Sequence, residues 1–593
     1  MDESKLKEKS AHSSVVSVED NAAHRKTEFY DPSLESRWTR LGLNLESFKR
    51  APGVTGTQVI SGHADVEGAQ ADMPLLQPKM KTRHLNMIAV GGSIGTGLFV
   101  SSGAALHNGG PAGVIIAWII VGIMLINVTQ ALGEMCIIYP VSGGFYTLAN
   151  RFLDPSYAFA MGWNYVFQWA VVLPLEITVA VTTVNYWEGA RSVHMAGWIT
   201  VFWIVIIIAS LFGTLGFAEE EFWSSCLKLL VVVMFIFIGI ICIAGGGPSS
   251  GEYSEYVGGR YWSEPGAFAN GFKGVCAVFV TAAFSFSGTE LVGLAASETP
   301  DPRKTMPGAV KGTFWRVTII YLTSLTIIGL LVPWNDEKLI GGSDASASPF
   351  VIALDRANIN GLNHLINVTV CISVLSIGLS CVYAGSRTLT ALAEQGFAPK
   401  LFAYVDKSSR PIWSLAAILI FGVIAYVNCA SGTTGDDVFA WLLALSGLST
   451  LFTWGSVCLC HIRFRAAWKA QGHSIEELPY QAIGGTYGSW LGVILIVLVL
   501  IAQFYVAIWP IGDSVSGTAA AESFFKAYLA VPVMILFWIV GYLWKKQRPK
   551  RASEIDLDSG RKSWLTVEEM RAYRAERATA PLYIRVYRLL FSN

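Results

Sequence analysis

The sequence predicts an all-α integral membrane protein of about twelve transmembrane helices, and three observations carry that prediction. Of 593 residues, 53% are hydrophobic and 15% charged, with a positive mean hydropathy, a balance outside ordinary soluble domains. The apolar residues gather in runs long enough to cross about 30 Å of hydrocarbon. Two of those runs, one in each half of the chain, are interrupted at their middles by small and polar residues. Backbone released from helical bonding at that depth is tolerated only where it lines a cavity, and matching interruptions in two halves of a chain point to a transporter's binding site.

The first run, 85–105, contains Gly91-Gly92-Ser93-Ile94-Gly95-Thr96-Gly97-Leu98-Phe99, whose glycines let the backbone unwind. The second, 113–135, ends around Glu134, and the third, 157–184, carries Glu176 behind Val171-Val172-Leu173-Pro174-Leu175. The fourth is 198–215; the fifth, 222–244, holds Lys228 in the third of its length nearest the cytosol. The sixth, 274–296, breaks at Phe284-Ser285-Phe286-Ser287-Gly288-Thr289-Glu290. The set is completed by 315–332, 365–385, 412–428, 438–460, 490–509 and 528–544. Each intramembrane charge is costly unless it is paired or faces water. Glu134 and Lys228 lie close enough to a boundary to snorkel. Glu176 does not, and Glu290 follows the second break directly.

Lys and Arg set the expected orientation. Lys79, Lys81 and Arg83 flank the first run, and Lys545, Lys546, Arg548, Lys550 and Arg551 follow the last. Alternate loops add Arg303, Lys304 and Lys311, then Arg387, Lys400, Lys407 and Arg410, then Arg463, Arg465 and Lys469. Both termini are therefore expected in the cytosol, and the sequons at Asn127 and Asn367 fall within spans. The charged N-terminus lacks the apolar core of a cleaved signal peptide. The expected organisation is a largely disordered cytosolic tail over 1–84, a transport core over 85–460, a loop with two further helices over 461–544, and a cytosolic tail over 545–593. In that last tail Val567, Met570 and Tyr573 have the spacing of an amphipathic helix lying on the membrane lipid or the core.

Nine cysteines lie mostly in or beside apolar runs, and neither they nor the scattered histidines show metal-ligand spacing. Nucleophile–base pairs, phosphate loops and cofactor motifs do not appear, so neither an enzyme nor a nucleic-acid partner is expected. The breaks suit a zwitterion. Ser93, Gly95, Thr96 and Gly97 would offer N–H donors to a carboxylate, and the Phe284–Ser287 stretch would offer carbonyls to an ammonium, with Phe284 closing over the ligand. Close packing of helices through small residues is the competing explanation of the first run.

These residues resemble the fungal plasma-membrane amino-acid permeases of the amino acid–polyamine–organocation superfamily, with the general permeases as the nearest type. The likeness runs from Lys81 to Arg588 through Arg83-His-Leu-Asn-Met-Ile-Ala, Gly91–Phe99, Tyr139-Pro-Val-Ser-Gly-Gly, Gly162-Trp-Asn-Tyr, Phe284–Glu290, Ser386-Arg-Thr-Leu and His461-Ile-Arg-Phe-Arg. It implies ten core helices in two LeuT-like inverted five-helix repeats plus two extra helices, and import of amino acids driven by protons. It implies that Ser93, Gly95 and Thr96 take the carboxylate, that the carbonyls of Phe284, Ser285 and Phe286 take the ammonium, and that Gln168 and Ser446 act in selectivity. Lys228 then stands where sodium-coupled relatives hold their ion, and Glu134, Glu176 and Glu290 join it as proton-coupling candidates. A polyamine or choline permease would leave the donors of the first break unused; an amino-acid sensor that transports little is the other alternative. Lys5, Lys7 and Lys9 in the N-terminal tail would be accessible to ubiquitin-ligase machinery.

Overall fold

In a bilayer every backbone group must find its partner within the chain, so apolar runs of this length are confined to helices. The structure, a computed structural model, bears this out. It describes residues 15–18, 27–30, 36–40, 44–50 and 80–561, except 81, 93, 141–144, 296–301, 341–347, 360, 431–434, 513–516, 547 and 549, together with isolated positions beyond 561. Among the described residues, nine helices are long and apolar enough to cross a membrane. The pair Ala520–Tyr528 and Ala530–Lys545, bent by 61°, makes a tenth. With the shorter Met195–Ser210 and the broken first segment, these supply the twelve segments predicted.

The first segment comprises Thr82–Gly91 and, past its break, Thr96–Phe99 leading into Ser101–Ile138. That last helix is two segments joined at Gly110 and Pro111. Gly110 has φ +70°, and a Cβ there would meet the Ala269 nitrogen at 2.5 Å, so only glycine fits the turn. Proline then starts the second segment, where its missing N–H costs nothing. The third segment, Pro155–Val184, starts the same way, with Asp154 accepting from the amides of Ser156 and Tyr157 at 2.9 and 2.8 Å. The fourth is Met195–Ser210 and the fifth Gly213–Ile243. The sixth runs Gly271–Phe286, breaks, and resumes at Leu291–Ala295. The seventh, Met306–Leu331, passes through a wide π-turn at Arg316–Leu322. Leu362–Glu394, Ile412–Cys429, Gly435–Ala470 and Gly485–Ile508 follow as eighth to eleventh. The tenth helix runs on past 460 to Ala470, so the boundary expected there falls inside a helix. The broken segments are the first and the sixth.

Burial sorts the segments. The third is 94% buried along its most apolar window and packs against the eighth, tenth and twelfth, whereas the fifth and eleventh are 33% and 28% buried, leaving wide apolar faces for lipid. The third segment is therefore the axis of the molecule, and charges on it have no route to bulk water by snorkelling.

The described parts of the N-terminal region are not featureless. Val15–Val18 pairs antiparallel with Thr27–Tyr30. Thr39 and residues 44–50 dock on the loop after the eighth segment, where Arg410 is fully buried. Its guanidinium donates to Asp406 at 2.7 Å, to the Leu211 carbonyl at 2.6 Å and to Ser47 at 2.9 Å, and lies 4.2 Å from the Phe48 ring centre. Burial raises the Asp406 carboxyl above its ordinary range, against the pull of Arg410. A polar composition gave no hint of this docking, which depends on a partner site in the folded core. Lys5, Lys7 and Lys9, and the Val567, Met570 and Tyr573 stripe, lie outside the described residues.

Candidate functional site

The two breaks meet. Gly97 lies so close to the sixth segment that a Cβ on it would sit 2.3 Å from the Ser285 Cα, a backbone-to-backbone approach that any side chain prevents. Gly95 presses on the eighth segment instead, where a Cβ would meet the Ile377 Cδ1 at 2.1 Å. Gly91, ending the lower half of the first segment, lies against Ser225 of the fifth. The helix that restarts at Thr96 turns its first amides out of its N-terminal end, where they and the helix dipole favour an anion. Ser93 lies outside the described residues.

On the other side of this junction the sixth segment ends at Phe286 and turns through Ser287 and Gly288, whose φ of +91° is a glycine conformation. The three carbonyls expected to receive an ammonium already carry donors. Phe284 O accepts the Ser287 amide at 3.0 Å and Ser285 O the Tyr321 hydroxyl at 2.8 Å, while Phe286 O accepts both the Thr289 hydroxyl at 2.7 Å and the Thr289 amide at 3.4 Å. A carbonyl has two lone pairs, so those of Phe284 and Ser285 keep one for a ligand and that of Phe286 is taken up. Phe284 is buried beside Gly447 of the tenth segment, and the Phe286 ring packs on Tyr321 at 4.6 Å, so the two aromatics face different neighbours.

Glu176 reaches the first break from the third segment. Its Oε2 accepts the Thr96 hydroxyl at 2.5 Å, its Oε1 meets no donor among the described residues, and the charge of Lys228 acts on it. Gln168, two turns earlier on the same helix, donates to Ser287 and Thr450, both at 3.0 Å, which ties the sixth-segment break to the tenth segment; its own Oε1 is buried and meets no donor among the described residues. Ser446, one turn before Thr450, bonds back to the Leu443 carbonyl at 3.0 Å and supplies the carbonyl that Thr450 bonds at 2.9 Å. Glu290 is fully buried, accepting from the Trp454 indole at 3.2 Å and the Gly288 amide at 3.3 Å, with Arg316 of the π-turn acting on it and bonded to Thr289.

Lys228 is fully buried 3.4 Å from Glu221 on its own helix. Glu134 stands apart from these groups. It is bound by Arg465 at 2.7 Å, by His461 at 3.0 Å and by the Ala482 amide at 2.6 Å, all on the tenth segment and the loop after it. Sequence reasoning missed Glu221, Arg316 and Trp454. Glu221 lies two helical turns before Lys228, a spacing that puts both on one face and could have revealed the pair. Arg316 stands at the edge of an apolar run and looks like a flanking charge until the π-turn buries it.

Thus the two breaks meet in a bundle of apolar helices, beside the buried Glu176 carboxylate of the third segment and the hydroxyls of Thr96, Ser287 and Thr450. Comparison with known proteins agrees in kind. Residues 84–554 match the profile of the amino acid permease family. An amino-acid permease of Hypocrea atroviridis, inda1, is 53% identical over 94% of each chain. The general amino-acid permease GAP1 of Saccharomyces cerevisiae is 48% identical over 91% of this chain and 90% of its own. The general amino-acid permease GAP2 of Candida albicans is 50% identical over 87% of each. Among solved structures, a manganese transporter of Eremococcus coleocola is similar at a TM-score of 0.46 and 15% identity, over 78% of this chain and 93% of that one. Near-full-length matches at about half identity make the chain a multi-pass membrane transporter and not an enzyme; it belongs to the amino acid permease family.

Proposed function

We propose that this permease imports amino acids across the plasma membrane by proton symport, with alternating access around the first and sixth segments and a broad range weighted to neutral side chains. Both termini then face the cytosol, and the N-terminal lysines serve ubiquitin-ligase control of abundance. The observation that carries the proton reading is Glu176, bonded to Thr96 inside the break, with a second oxygen that no described residue satisfies. A carboxyl so placed exchanges its proton with the same centre that takes the substrate. The helix start at Thr96 and the spare lone pairs of the Phe284 and Ser285 carbonyls fit the two ends of an amino acid. Gln168 and Ser446 bring no charge to the side-chain end, which favours neutral ligands; the relatives named general permeases support breadth. Lys228 and Glu290 join Glu176 in coupling, while Glu134, its charge already held by Arg465, enters as a brace.

Two measurements test this. In cells lacking their own permeases, uptake of one labelled neutral amino acid is expected to be inhibited by many unlabelled ones and to rise as the outside is acidified. A strict requirement for lysine or arginine, or sodium dependence without a proton response, overturns the reading. Glu176→Gln keeps the acceptor for Thr96 and removes the exchangeable proton. Its uptake is expected to lose its dependence on external pH and to fall by about tenfold or more, the lower end of general acid–base contributions. An unchanged pH profile would remove Glu176 from coupling.

A further inference from the structure

The buried lysine of the fifth segment has a partner that the proposed transport cycle has not used. Glu221 and Lys228 are both fully buried, 3.4 Å apart, two turns apart on one helix face. Glu221 Oε1 also accepts the Ser225 hydroxyl at 3.0 Å, and Oε2 accepts Ser376 at 2.8 Å and Ser380 at 3.3 Å. Ser376 and Ser380 lie one turn apart on the eighth segment. Ser225 packs on Gly91 at the end of the lower first segment. Glu221 therefore sits where the fifth, eighth and first segments meet, holding the lysine with one oxygen and the eighth segment with the other.

Two buried charges on one rigid helix are not parted when whole helices shift. Such a shift does change the hydroxyls that Ser376 and Ser380 bring to the second oxygen. We infer that Glu221 is the positioning residue for Lys228, translating movement of the eighth segment into the placement of the lysine ammonium. While the serines occupy Oε2, the ammonium is held at Oε1 and its charge reaches Glu176. When the eighth segment withdraws, both oxygens turn to Lys228, and its charge leaves the substrate centre. A buried lysine deprived of its counter-charge is strongly unfavourable, which is why the pair needs to stay together through the cycle. The charged groups near it are Glu220 on the same helix, bonded to Ser376 at 3.4 Å, and Glu176 of the third segment, which lies within electrostatic reach of the lysine. Beyond them lie the Arg83–His84–Glu219 group at the start of the first segment, and Arg387 of the eighth, bonded to Thr214 at 2.6 Å. The inference rests on the proton-coupled reading above.

The test uses the purified full chain in proteoliposomes, recording labelled amino-acid uptake and proton influx together. Glu221→Gln is expected to lower the ratio of protons to substrate by about tenfold, the scale of one charge-assisted hydrogen bond, and to shift the pH profile of uptake. Glu221→Asp is expected to recover part of both. Ser376→Ala with Ser380→Ala keeps the ion pair and removes the cross-links; it is expected to shift the profile in the same direction, and it decides the matter if Glu221→Gln yields no folded protein. A parental proton ratio and pH profile in either folded variant, whatever its abundance, overturns the inference, because a merely structural role changes abundance alone. A parent protein that moves no protons overturns the proton reading itself, and the inference with it.

Discussion

Gly97→Ala is expected to reduce amino-acid uptake to below about a tenth of the parent while leaving the protein at the cell surface, since overpacking at a fixed contact costs about 1–3 kcal/mol. Local conformation does not object to the change. Gly97 lies inside the helical turn Thr96–Phe99, and alanine is favoured over glycine in a helix by about 1 kcal/mol. The objection comes from across the junction, where the new methyl would stand 2.3 Å from the Ser285 Cα and 2.8 Å from its hydroxyl oxygen. A backbone atom has no rotamer to escape into, so the sixth segment itself must retreat and the carbonyls of Phe284–Phe286 with it. The amides and carbonyls that are to grip opposite ends of one small ligand would then no longer suit the same ligand. Gly95→Ala is the control. Its methyl would press on the Ile377 side chain, at 2.1 Å from Cδ1 and 3.0 Å from Cγ1, and a flexible side chain can move where a backbone atom cannot, so the loss is expected to be smaller. Uptake normalised to surface protein checks both. Gly97→Ala transporting at more than half the parental rate, or Gly95→Ala failing more severely than Gly97→Ala, would show that the contact between the breaks does not govern transport.

That contrast marks the line between what composition reveals and what only the fold shows. The breaks were legible because glycine, serine and threonine in the middle of an apolar run have no use in lipid-facing helix, and the chain leaves the helix at Gly92, Ile94 and Gly95 and again at Ser287–Glu290, the second break beginning after Phe286 rather than at Phe284. The segments were legible from length alone. The pairings were not. Thr96 meets Glu176 across 80 residues, Glu134 meets His461 across 327, and Tyr321 reaches the Ser285 carbonyl from a π-turn that no periodicity announces. Glu221 is the instructive case. Its spacing to Lys228 was visible, but it closes the run Glu219-Glu220-Glu221, which has the appearance of a solvated helix start. Of those three, Glu219 faces outward to Arg83 and His84, while Glu221 is fully buried. A charge run gives no sign of which member the helix will turn inward; that is decided by the serines waiting on the eighth segment.

Glu134→Ala is expected to deplete the protein from the membrane and lower its thermal stability in detergent, while the molecules that remain keep their proton-to-substrate ratio. The carboxylate is fully buried and satisfies three donors at once: the Arg465 guanidinium, the His461 ring and the Ala482 amide. His461 in turn meets Ser489 at 2.7 Å, so the same side chain fastens the second segment to the tenth, to the loop after it and to the start of the eleventh. Taking away one member of a buried ion pair leaves the other uncompensated, at a cost of about 3–5 kcal/mol, which is much of the stability of an ordinary domain. Arg465 keeps some access to water, with 11% of its side chain exposed, which places the expected loss toward the lower end of that range. Glu134→Gln retains an acceptor for the amide but not the charge, so its loss is expected to lie between that of alanine and the parent. The discriminating readout is the coupling ratio, because a brace and a proton carrier fail differently. A brace removes molecules from the population without changing what each one does. A carrier changes the ratio in every surviving molecule. Glu134→Gln with parental abundance and a lowered proton-to-substrate ratio would return Glu134 to the residues proposed for coupling, beside Glu176, Lys228 and Glu290.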